Sequence, residues 1–140
     1  MFESRDLPLS VFAGPVFVEE CVVQDRVETL SKDFWLGLSL VESEFWFDKL
    51  VEFTISLWKL GLHECTQSYS LNYGQDAQGE VALFDYGEIT TDLDVASKYI
   101  ETKFYRTAWW FRSPREDQQE LYERKASKYL TGKRLASLWR

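Results

Sequence analysis

The sequence predicts an α+β fold that is mostly helical and carries one small β-hairpin. Three observations lead there. A long run from Ser43 to Leu60 has apolar residues at helical spacing. Two short β-rich runs flank Asp76-Ala77-Gln78-Gly79, a turn sequence. Beyond them, Thr90-Thr91-Asp92 and Ser113-Pro114-Arg115-Glu116 carry helix-start signals. The 140 residues are one domain's worth, and with 45% hydrophobic and 16% aromatic residues the chain can bury a core.

Taken in order, residues 1–14 form an N-terminal arm punctuated by Pro8 and Gly14-Pro15. Val16-Phe17-Val18 and Cys21-Val22-Val23 are rich in β-formers and read as a strand. Val27-Glu28-Thr29-Leu30 reads as the start of a short helix. The long helix covers 43–62. Trp46, Leu50, Phe53, Thr54 and Leu57 line one face, Phe45, Phe47, Val51, Ile55 and Trp58 widen it, and Gly61 suits a left-handed closing residue. Ser70–Tyr73 and Glu80–Phe84 form the hairpin within 69–88. Residues 91–140 hold the C-terminal helices: one through Ile100, one opened by the Ser113-Pro114-Arg115-Glu116 capping box with Pro114 at its first position and running to about Leu130, and a last turn after Gly132. The aromatic run Trp109-Trp110-Phe111 reads as burial against the long helix, with a partner-binding patch as the alternative.

Charge and composition exclude several classes. The net charge is −7, with a local +4 over 112–140 and about −11 before it. An acidic body argues against nucleic-acid binding. The basic tail reads as a solvated helix face, with contact to an acidic partner as the alternative. Cys21 and Cys65 sit in no metal or redox spacing and read as buried free thiols, and His63 is the one histidine, so no zinc site is expected. No stretch approaches a membrane span, and the first residues do not read as a signal peptide. A cytoplasmic protein with no membrane contact is the expectation.

The chemistry-bearing stretch runs from Gly61-Leu62-His63 through Asn72 and Gly79 to Asp85-Tyr86-Gly87. It resembles the protein-kinase-like family, in which a long helix ends in Gly-aliphatic-His before the catalytic loop. An Asn, a hairpin with a turn Gly and an Asp-Phe-Gly triplet then follow. The resemblance covers residues 15–90 and implies a kinase C-lobe-like domain without an N-lobe. It implies Asn72 and Asp85 as magnesium ligands, since Mg²⁺ takes few protein oxygens and shares the rest with phosphates and water. It implies the backbone of Glu20 and Val22, on a hinge-like strand over 15–30, as nucleotide contacts. Mg²⁺ and ATP are the ligands it admits.

The departures weigh against activity. No glycine-rich phosphate loop and no strand lysine precede the hinge-like segment. The catalytic aspartate falls on Cys65 counted from His63, or on Gln67 counted from Asn72, and neither is a carboxylate. Glu64 is the nearby candidate catalytic residue; His63 reads as structural. No Ala-Pro-Glu follows Gly87. The expected function is a truncated, pseudokinase-type binding or regulatory module, inactive alone. The alternatives are a purely structural or protein-interaction domain and a phosphotransferase completed by a partner chain. A protein partner or self-association is expected to cover the face that an N-lobe would occupy.

Overall fold

The computed structural model describes residues 16–18, 21–23, 26–85, 87–107 and 115–140. The architecture is α+β and mostly helical, with small antiparallel sheets. Strands β1 (Val16–Val18) and β2 (Cys21–Val23) pair antiparallel, Phe17 opposite Val22. The β-rich stretch is therefore two strands of a ribbon rather than one. Strand β3 (Glu28–Thr29) stands where a helix start was expected, and helix α1 (Lys32–Gly37) begins one turn later behind its N-cap Ser31. The reason is tertiary: the Leu30 N–H donates to Tyr73 O at 3.0 Å, which draws this segment onto the hairpin.

Helix α2 (Leu40–Lys59) begins three residues before the expected start. Ser39 caps it in a capping box with Glu42, two backbone donors satisfied reciprocally. Its end is a Schellman motif. Gly61 lies at φ 69°, its N–H donates to Trp58 O, and Leu62 N–H donates to Leu57 O. This reversal delivers His63 directly into strand β4 (His63–Glu64).

Strands β5 (Tyr73–Gln75) and β6 (Val81–Leu83) form the hairpin, Gly74 opposite Ala82, and β3 adds to the other edge of β5. Strand β7 (Ile89–Thr90) pairs with β4. Helix α3 (Leu93–Glu101) starts at the N-cap Asp92 as the sequence predicts, and a 3₁₀ turn covers Phe104–Thr107. Helix α4 spans Glu116–Tyr129. Its N-cap position is Arg115, with no side-chain cap bond; Ser113 and Pro114 of the predicted capping box lie outside the described residues. The last turn is a full helix, α5 (Gly132–Leu138), because Thr131 caps it through Arg134 N–H. The arm, Glu20 and the Trp109-Trp110-Phe111 run also lie outside the described residues.

The core sits between α2, α4 and the hairpin and is built from aromatic rings. Trp35 stacks on Phe47 at 5.0 Å, Phe47 meets Tyr122 at 5.2 Å, and Tyr122 meets Tyr69 edge-on at 5.5 Å. Edge and offset contacts of this kind stabilise beyond the area they bury. Tyr69 and Tyr122 also share a 2.7 Å hydroxyl hydrogen bond, which satisfies both buried phenols. The basic tail is partly engaged: Lys125 on α4 bonds Glu44 at 3.1 Å and Asp48 at 2.6 Å on α2.

Candidate functional site

The loop 63–72 is the hub, because both of its ends are tied to elements that cannot move independently. Where it starts, β4 pairs His63 with Thr90 and Glu64 with Ile89, and Cys65 N–H donates to Glu88 O at 2.9 Å. Where it ends, Phe84 N–H donates to Asn72 O at 3.0 Å, extending the hairpin ladder by one rung. Asn72 thus stands opposite Phe84 at the open end of the hairpin, and Asp85 is the next residue along that strand. The closed end is set by Asp76, whose Oδ1 accepts from Gln78 N–H and Glu80 N–H, and by Gly79 at φ 77°. Lys49 on α2 clamps that turn, donating to Gly79 O and Glu80 Oε1 at 3.0 Å each.

Glu64 is the centre of the loop. It is 1% exposed, and its carboxylate accepts from Thr66 Oγ1 at 2.6 Å, Thr66 N–H at 3.2 Å, Asn72 Nδ2 at 3.3 Å and Tyr73 OH at 3.2 Å. Burial raises its pKa, and the bonds from Thr66 and Tyr73 oppose the rise. A general base must reach the proton it removes. Glu64 is turned inward with both oxygens engaged, so it braces the loop.

His63 is equally sealed. Trp58 Nε1–H donates to its Nδ1 at 3.1 Å, which puts the ring proton on Nε2, and burial pushes its pKa down to about 4. The imidazole is therefore neutral. Cys65 is pushed up to about 11, first by burial and then by the Glu64 and Glu88 charges, so it stays an unreactive thiol. Gln67 is 2% exposed and adopts φ 46°, a left-handed conformation that a non-glycine residue holds only when its surroundings impose it. Its Nε2, with His63 Nε2 and Ser70 Oγ, is buried without a partner. Neither of the positions that count to the catalytic aspartate offers a carboxylate to solvent.

Asp85 is exposed, and its Oδ1 accepts from Gly87 N–H at 3.2 Å. A Cβ on Gly87 would meet Asp85 Oδ1 at an ordinary 3.5 Å. Asn72 Oδ1 and the Asp85 carboxylate are two oxygen donors on one hairpin end. Among the described residues no three His, Cys, Asp or Glu gather as a metal cage. Two protein oxygens suit a magnesium ion shared with phosphates and water and do not suit a protein-only site.

Of the nucleotide contacts, Glu20 is outside the described residues, and Val22 sits mid-strand on β2 opposite Phe17. A cleft of about 540 Å³ opens between residues 26–29 and 75–77, where Gln75 Nε2 donates to Glu28 Oε2 at 2.8 Å. Sequence reasoning missed Arg26, Glu28, Gln75 and Asp76 there. Its signal was Gly74, where a Cβ would sit 2.7 Å from Glu28 O, so the strands approach as only glycine allows.

No family model, curated protein or solved structure matches this chain. Among the described residues no helix is long and apolar enough to cross a membrane.

Proposed function

We propose that this chain is a kinase-like binding module that holds a magnesium-nucleotide weakly and does not transfer phosphate unaided. One observation carries it: loop 63–72 and hairpin 73–83 bring Asn72 and Asp85 to the same open end of the hairpin, with no accessible carboxylate where a base would stand. The Gly61-Leu62-His63 approach, the turn Gly79 and the Asp85-Tyr86-Gly87 triplet support the same reading. These 140 residues carry no phosphate-covering loop and no strand lysine, so the positioning and charge stabilisation that phosphoryl transfer needs would have to come from outside them.

Thermal unfolding with ATP and Mg²⁺, alone and together, tests this. A ligand at about 100 times its dissociation constant adds roughly 2.7 kcal/mol to stability, a visible shift in Tm. The expected outcome is a shift with ATP that grows with Mg²⁺, and loss of the Mg²⁺-dependent part in Asp85→Ala. No shift at millimolar nucleotide rejects nucleotide binding and leaves a structural or protein-interaction domain. ATP turnover by the isolated chain rejects the inactive reading.

A further inference from the structure

The oxygen of Asn72 is aimed by its neighbours. Thr66 Oγ1 carries one hydrogen, and Glu64 Oε1 takes it at 2.6 Å. What Thr66 offers Asn72 is therefore a lone pair. Glu64 Oε1 also offers only a lone pair. Both groups beside the Asn72 amide, at 3.3 Å and 3.4 Å, are acceptors. The nitrogen must face them, because the flipped amide would set oxygen against two oxygens and lose both bonds. Oδ1 is then turned away from Glu64. It takes no hydrogen bond among the described residues, and it is not among the buried polar atoms sealed without a partner. It is an oxygen donor left free in a residue that is otherwise 7% exposed.

We propose that Glu64 is a positioning residue: together with Thr66 it locks the Asn72 carboxamide so that Oδ1 faces a divalent cation shared with Asp85. This rests on the reading of Asn72 and Asp85 as cation ligands. It gives the buried carboxylate a task that needs no contact with substrate. It also accounts for Tyr73, whose hydroxyl holds the other carboxylate oxygen and keeps Oε1 on the Asn72 side. Residues that orient a ligand from behind commonly govern metal affinity as strongly as the ligand's own geometry does.

The test is Mn²⁺ binding with ATP present, read from the electron paramagnetic resonance of free Mn²⁺, on wild type, Asp85→Ala, Glu64→Ala, Glu64→Gln and Thr66→Val. Asp85→Ala should abolish site binding. Glu64→Ala should weaken Mn²⁺ by about tenfold or more, while Glu64→Gln, which keeps an acceptor oxygen for Asn72, should stay within about threefold. A merely structural role would not separate the alanine from the glutamine variant in affinity at equal folded fraction. If Glu64→Ala does not fold, Thr66→Val, which deletes one acceptor at little change in shape, carries the same test and should weaken Mn²⁺ several-fold. Wild-type affinity in Glu64→Ala, or in Thr66→Val where the alanine variant is unfolded, overturns the positioning role and leaves the ligand pair standing. Wild-type protein with no Mn²⁺ affinity that Asp85→Ala removes overturns the ligand pair, and the positioning role with it.

Discussion

His63 shows how a residue of catalytic type becomes structural. Its ring is 1% exposed, Trp58 occupies Nδ1, and burial takes its pKa from 6.5 to about 4. An unfolded chain binds the proton below about 6.5 while the folded one refuses it until about 4. The stability His63 contributes is therefore present above the unfolded value and lost as pH falls through that window. The slope is at most about 1.4 kcal/mol per pH unit, or about 3 kcal/mol in all. Glu64 works in the opposite sense, since its raised pKa contributes stability that is lost as pH rises above about 4.5. The clean comparison is with His63→Asn, which keeps Glu64 and an acceptor for Trp58. Urea unfolding from pH 7 to 4 should fall less steeply in the variant. Parallel curves would mean that His63 titrates normally in the folded state. Histidine type and spacing were legible in the sequence. The burial that sets its charge was not, because it comes from α2 turning back through Gly61.

At the scale of elements, the hairpin is held from three sides. Lys49 grips its turn, β3 extends its sheet, and Asn72 O anchors its open end. Gly74 is the position that lets β3 approach. Ala there would put Cβ 2.7 Å from Glu28 O and 2.9 Å from Val27 Cγ2, against backbone that cannot step aside without opening the sheet. Gly74→Ala should cost roughly 2–3 kcal/mol and distort the cleft. Gly37→Ala, in helix α1 with nothing within 4 Å, should stabilise by about 0.5–1 kcal/mol. Chemical denaturation of the pair checks both signs, and equal effects would deny the close approach. The helix caps Asp92 and Gly61 were visible in the sequence because capping is local chemistry. The strand at 28–29 was not, because two residues acquire β character only from the partner strand beside them.

Across the whole molecule, three helices converge on Gln118. It is fully buried, and its Nε2 donates to Trp35 O on α1 at 2.7 Å and to Ser43 Oγ on α2 at 2.9 Å. Gln118→Ala removes both bonds and leaves a cavity, while Trp35 O keeps the Leu38 N–H and Ser43 Oγ keeps Ser39 O, so a loss of about 1–2 kcal/mol is expected, seen as a lower urea midpoint at an unchanged slope. A change within 0.5 kcal/mol, the range of an ordinary surface site, would place Gln118 outside the core network.

The α+β class, the long helix, the hairpin with its turn glycine and the lack of a carboxylate at Cys65 and Gln67 were all legible along the chain. These follow from periodicity, turn chemistry and residue identity, all properties of near neighbours along the chain. That Glu64 faces inward, that Asn72 donates to Thr66 and Glu64, and that a cleft lies at 26–29 and 75–77 came from the fold in three dimensions. Those depend on which distant segments meet, and on the water that burial removes from the groups between them.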